Sequence, residues 1–233
     1  MKPILSALTL SKLSGFDSCS IANAIDSLGV RMLNEGFGGT GIACRTQELP
    51  PMAGVAVTLK VRSSDPPMKR AFYLGQADWS ERLEEASFPR VLVIEDMDAR
   101  PGRGALVGPA HACVIKAMGF AGVITTGAVR GTQRFSEIGL HAFSGNVSPS
   151  HAYCHVVEMG GKVVVAGVEI EPGDVIHGDR DGFVSVPADM VEKIADAAQL
   201  SVERERVICE FCNARGFSLA KLRALIGPDP TRR

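Results

Sequence analysis

The chain has 233 residues, with 25 Lys+Arg against 26 Asp+Glu for a formal net charge of −1, so it carries no basic footprint for a nucleic-acid backbone. Hydrophobic residues at 45% and charged residues at 22% are ordinary globular usage, which argues against disorder or a fibrous repeat at a length that can bury a substantial core. The apolar runs at 91–94 and 163–168 fall far short of the roughly 20 residues a membrane-spanning helix needs, and residues 1–13 lack a secretory pattern, so a cytoplasmic, membrane-free protein is expected.

In chain order, residues 6–13 read as a short helix and 16–28 as a longer one. Ser18 or Ser20 is its expected cap, Ile21, Ala24, Ile25 and Leu28 share a face, and Gly29 stops it. Residues 34–51 are Gly-rich and aperiodic, ending in Pro50-Pro51, and read as a long loop. Alternation of Val55, Val57, Leu59 and Val61 predicts a strand over 54–62, and 91–95 predicts a short buried strand, with a helix over 76–86 between them. A helix is expected over 109–118, with Pro109 at its first position, where a missing N–H costs nothing, and Gly119 ending it.

A strand at 123–126, a helix at 132–138 and a strand at 142–145 follow, then strands at 162–165, 168–170, 174–177 and 183–186, with 179–182 as a turn. Residues 188–216 predict a long amphipathic helix with Val191, Ile194, Ala195, Ala198, Leu200 and Val202 inward, and the tail from Phe217 adds a turn or two. The pattern is mixed α/β in one domain: terminal helices and a loop over 1–50, a core over 51–187 and a helical arm over 188–233. The six cysteines read as buried or half-buried free thiols. Cys209 and Cys212 have CxxC spacing, but without a second pair they do not make a zinc ribbon.

Several stretches taken together resemble one family. They are Gly108-Pro109-Ala110-His111, residues 121–130 ending in Gly127-Ala128-Val129-Arg130, then Gly139, Phe143, residues 145–152 and residues 172–182. Upstream, 20–26, 34–37 and 49–52 continue the match. This ordered set is similar to the RraA-like family, which contains regulators of ribonuclease E and class II aldolases that cleave 4-hydroxy-4-methyl-2-oxoglutarate. The resemblance implies a swivelling β/β/α fold (RraA-like, phosphohistidine-domain-like), assembled as homotrimers or hexamers with the site in a cleft between subunits. It also implies a carbon–carbon lyase scaffold for a small 2-oxo acid.

In the family's aldolases a magnesium or manganese ion is held by an acidic residue directly after an arginine, helped through water by an acidic residue 21 positions before that arginine. The arginine and the N–H groups opening the intervening helix hold the pyruvate part of the substrate. A divalent cation would stabilise the enolate left by C–C cleavage, while a guanidinium and a helix N-terminus suit a carboxylate. In this chain Arg130 keeps the arginine position, but Gly131 and Pro109 stand at the two acidic positions, and neither offers a side-chain oxygen. The resemblance thus makes Arg130, Gly108, Ala110 and His111 the substrate-binding residues, with no metal ligand assigned. His111, in the first turn where the helix dipole keeps it neutral, is the candidate catalytic acid or base.

Among the other polar residues, His151, His155 and His177 read as structural hydrogen-bonding groups rather than a metal set. Asp179 and Asp181 read as turn residues, and Asp96 and Asp98 as solvated turn residues at a strand end that could alternatively replace the lost carboxylates. Three functions remain open: a lyase acting on a small 2-oxo acid bound by Arg130, a non-catalytic regulatory or interaction protein, and a metal-free enzyme using His111 for proton transfer. No Gly-rich nucleotide loop supports a methyltransferase.

Overall fold

A computed structural model of the chain describes residues 5–67 and 89–227. The helix expected over 76–86 lies outside them. The described elements are α1 (Ala7–Leu13), α2 (Ser18–Ser27), β1 (Ala43–Cys44), β2 (Met52–Arg62), β3 (Arg90–Asp96), β4 (Ala105–Val107), α3 (Pro109–Ala117), β5 (Phe120–Val129), α4 (Gln133–Ile138), β6 (His141–Val147), β7 (His155–Met159), β8 (Val163–Val165), β9 (Val168–Ile170), β10 (Val175–Asp179), β11 (Gly182–Val186), α5 (Val191–Asn213) and α6 (Leu219–Ile226).

Nine strands form one mixed sheet in the order β1-β6-β5-β3-β2-β10-β11, in which β2, β3, β5 and β6 run parallel. β3 ends beside Thr125, and β4 takes its place against the last residues of β5, pairing Ala105 with Ala128 and Val107 with Val129. β7 does the same on β2, pairing with Leu59–Arg62 after β10 has paired with Met52–Val55. Both replacement strands escape the sequence reading, because each pairs only where a neighbouring strand's pairing has ended, a tertiary condition with no local signal.

Alternation along β3 explains the layering, since successive side chains of a strand point to opposite faces. Leu92 and Ile94 pack with Ala112, Ile115 and Phe135 of α3 and α4. Val91 and Val93 face the β8–β9 hairpin, meeting Val163, Val165, Val168 and Ile170. Ala166 and Gly167, which join that hairpin, both have positive φ (50° and 83°), the requirement of a tight two-residue turn between twisted strands. A third cluster packs α1, α2 and the start of α5 against Ala53, Val55, Val175, Val184 and Val186. Hairpin, sheet and helices give the expected β/β/α architecture.

Four expectations change. Asp17, not Ser18 or Ser20, caps α2, its carboxylate accepting the Ser20 N–H at 2.7 Å. The loop over 34–51 contains β1 and a bridge from Phe37 to Val184. The long C-terminal helix begins as a 3-10 turn (Ala188–Met190), and its buried residues are confined to Val191, Ile194, Ala195 and Ala198. Leu200 is 72% exposed and Val202 is exposed too, because the helix has run past the sheet by then. Of the cysteines, only Cys44 and Cys154 are buried, and Cys19, Cys113, Cys209 and Cys212 are exposed.

Candidate functional site

The three residues of β4 organise the site. Their carbonyls fall one after another on three different groups: Ala105 O meets His151 Nδ1 at 3.0 Å, Leu106 O meets His111 Nδ1 at 2.9 Å, and Val107 O accepts the Arg130 backbone N–H at 3.1 Å. The next residue, Gly108, packs directly on the Arg130 side chain: a Cβ at 108 would lie 2.9 Å from Nε and 3.1 Å from Cγ. Gly108 is also the N-cap of α3, in extended conformation, and its carbonyl accepts the Ala112 N–H.

These bonds fix the tautomers. A carbonyl only accepts, so both imidazoles carry their proton on Nδ1 and present a lone pair at Nε2. For His151 that lone pair receives Nη2–H of Arg130. His111 Nε2 makes no hydrogen bond among the described residues. The two rings stand edge to face with centroids 6.3 Å apart. Burial is the main cause holding His111 below the ordinary imidazole pKa, with His151 and Arg130 pushing the same way and the Leu106 carbonyl opposing.

Arg130 follows the last residue of β5, at the C-terminal ends of the parallel strands, where α/β folds place ligands. Among the described residues no carboxylate lies within ion-pair distance of it. Its Nε is buried without an acceptor among the described residues, which costs on the order of 1–3 kcal/mol. The N–H groups of Ala110 and His111, in the first turn of α3, also find no acceptor among the described residues. The fold therefore gathers Arg130, Gly108, Ala110 and His111, and adds His151, which the sequence reading assigned a purely structural role. Its only advance signal is its place in the 145–152 stretch.

Pro109 and Gly131 meet. Gly131 has φ +65°, and a Cβ there would lie 2.6 Å from Pro109 Cγ and 2.9 Å from Cδ. Two positions 22 residues apart are thus neighbours, filled by a ring packed on bare backbone. No group of three or more His, Cys, Asp or Glu gathers as a metal site among the described residues.

Asp96 is buried rather than solvated. Its carboxylate accepts N–H groups of Gly102 (2.8 Å) and Asp98 (3.1 Å), and burial raises its pKa despite them. Asp98 accepts the Ser63 N–H and Oγ–H at 2.8 and 2.7 Å, and these bonds hold its pKa down against burial. Both carboxylates are committed to the loop that leads into β4. His177 is fully buried between the Phe16 carbonyl and Ser18 Oγ, and Asp179 is buried on the Ser18 N–H. His155 bonds the Tyr153 carbonyl. None of these joins the Arg130 group by hydrogen bond.

Comparison with known proteins agrees with this architecture. A family model named RraA-like, described as Aldolase/RraA, matches residues 19–185. An uncharacterized protein of Methanocaldococcus jannaschii is 25% identical over 90% of this chain and 93% of its own. A putative 4-hydroxy-4-methyl-2-oxoglutarate aldolase of Alkalilimnicola ehrlichii is 32% identical over 48% of this chain and 69% of its own. Among solved structures, RraAS2 of Streptomyces coelicolor, titled an unusual member of the RNase ES inhibitor RraA protein family, superposes with a TM-score of 0.66 at 23% identity. That match covers 87% of this chain and 96% of the other.

Proposed function

This chain belongs to the RraA-like (Aldolase/RraA) family, and on that premise we propose that it binds a small 2-oxo acid or similar carboxylate at Arg130. The observation that carries the reading is the Arg130 side chain. Its guanidinium has no carboxylate partner among the described residues, donates to His151 Nε2, and packs on Gly108, the N-cap of the helix whose first-turn N–H groups at Ala110 and His111 find no acceptor among the described residues. Such donors match a carboxylate, which takes two parallel N–H bonds from a guanidinium fork. His111 Nε2, a lone pair on a ring held neutral, is the group placed to take a proton from the carbon next to the oxo group of the bound acid.

The magnesium or manganese ion of the family's aldolases does not fit the donors present. Pro109 and Gly131 supply no oxygen, and Asp96 and Asp98 are occupied by backbone N–H groups and Ser63. The scaffold is lyase-like with a degraded metal position. The Pro109–Gly131 contact equally suits a second reading, a non-catalytic regulator that keeps the fold and the anion site. The proposed assembly is a homotrimer or hexamer in a cytoplasmic setting that suits six unpaired cysteines. Light scattering in dilute solution should give a multiple of 24.7 kDa, and a stable monomer would contradict that assembly.

Calorimetric titration with pyruvate and oxalate in the presence of a chelator tests the binding. Wild type should bind, and Arg130→Lys should bind at least tenfold more weakly, because hydrogen bonds to charged groups contribute about 1.5–3 kcal/mol and an ammonium lacks the planar fork. No binding by wild type, or equal binding by both proteins, removes the proposal.

A further inference from the structure

We infer that His151 is the positioning residue of Arg130, holding the guanidinium ready for a carboxylate through a relay that runs from the Ala105 carbonyl across the imidazole ring. The inference rests on the carboxylate-binding reading of Arg130 and adds a residue to which that reading gives no role of its own.

Arginine carries several rotatable bonds, and an arginine that must be ordered by its ligand loses affinity for doing so. Arg130 has the ordering supplied by the protein. Its backbone N–H is tied to Val107 O, Gly108 leaves just enough room for Nε and Cγ, and His151 Nε2 accepts from Nη2. The His151 ring is aimed in turn: Nδ1–H donates to Ala105 O, which forces the lone pair onto Nε2, and Ala105 is anchored by its own N–H to Ser150 O at 3.0 Å. The segment bearing His151 is tied down by Ser148 Oγ on the Arg103 carbonyl and by the Cys154 N–H on the His151 carbonyl. Besides the buried Nε–H, two N–H bonds at Nη1 and one at Nη2 remain, enough for the parallel two-bond grip on a carboxylate.

The chemistry of the ring separates positioning from mere packing, because its two nitrogens do different things and an amide side chain can imitate one at a time. Asparagine reaches about as far as Nδ1, so His151→Asn keeps a donor to Ala105 O and loses the acceptor for Arg130. Glutamine reaches about as far as Nε2, so His151→Gln restores an acceptor for Arg130.

The test is calorimetric titration of oxalate and pyruvate into wild type, His151→Asn and His151→Gln, each also in the Arg130→Lys background, with thermal melts to confirm folding. Positioning predicts binding about tenfold weaker in His151→Asn, near the upper end of what immobilising one long side chain costs. It predicts recovery to within about threefold in His151→Gln, and no further loss from His151→Asn once Arg130 is lysine. Unchanged binding in His151→Asn, or the reverse order with Asn retained and Gln lost, overturns the inference and assigns His151 to its Ala105 bond alone, leaving the carboxylate reading intact. Failure of wild type to bind either anion overturns both. Should His151→Asn not fold, loss of oxalate binding in a folded His151→Gln overturns the inference by itself.

Discussion

Two polar clusters in this molecule use the same side-chain chemistry and end in opposite states. Around His177, both ring nitrogens are occupied, by Phe16 O and Ser18 Oγ, and Asp179 accepts N–H groups of Ser18 and Asp181. Around Arg130, His151 is bonded at both ring nitrogens but His111 at Nδ1 only: among the described residues His111 Nε2 has no partner, Arg130 Nε is buried without an acceptor, and two N–H groups wait in the first turn of α3. A saturated cluster spends its polarity on stability, whereas a cluster with donors and a lone pair left over has capacity for a ligand. Burial alone does not separate them, since burial lowers the pKa of both His111 and His177.

The sharpest way to break this contrast is to empty the saturated cluster. His177→Ala should cost about 3 kcal/mol, combining a core cavity with an orphaned Phe16 carbonyl, and leave oxalate affinity unchanged. Denaturant unfolding and calorimetry read the two effects separately, and a loss of oxalate binding without loss of stability would erase the distinction.

A somewhat smaller cost is expected beside the open cluster. Gly131→Ala must adopt φ +65° and press its Cβ on the Pro109 ring, at about 1–3 kcal/mol. In a Pro109→Ala background only the backbone strain remains, so the two substitutions should couple by at least about 0.5 kcal/mol in a double-mutant cycle. Additive effects would mean the ring and the glycine do not bear on each other.

Acid should act next. His111, His141 and His177 are all held below the ordinary value of 6.5, each chiefly by burial. As pH falls below about 6.5 the unfolded chain takes up protons that the native one resists, so the stability these groups leave intact at neutral pH is lost progressively through their native values. Tm should fall between about pH 7 and 5, and less steeply in His177→Gln. A rising Tm over that interval would contradict the burial of these rings.

The smallest effect lies outside both clusters. Leu200→Glu, on the exposed part of α5, should change stability by no more than about 0.5 kcal/mol, whereas Ile194→Ala, six residues earlier and fully buried, should cost about 2–5 kcal/mol.

That last pair shows how far the sequence could be read. Helical periodicity places Ile194 and Leu200 in one continuing pattern, but it does not say where the sheet beneath the helix stops, so Leu200 was expected inward. β4 is the more consequential omission. Ala105-Leu106-Val107 becomes a strand only because β3 stops pairing with β5 at Thr125 and leaves that edge open, a tertiary fact. Since β4 carries the carbonyls that fix His111 and His151, the sequence names Arg130, Gly108, Ala110 and His111 but does not reveal His151 as their companion. The strands of the core, the Pro109 helix start and the family resemblance were legible because they rest on local signals or on long ordered motifs.

The contrast between the clusters can be watched directly by nitrogen-detected NMR of the arginine and histidine side chains during an oxalate titration with chelator present. The leftover capacity at Arg130 predicts saturable shifts in its Nε and Nη resonances and in the His111 ring, with His111 and His151 both reporting the Nδ1–H tautomer beforehand and His177 unmoved. Silence at Arg130, or equal shifts at His177, would contradict it.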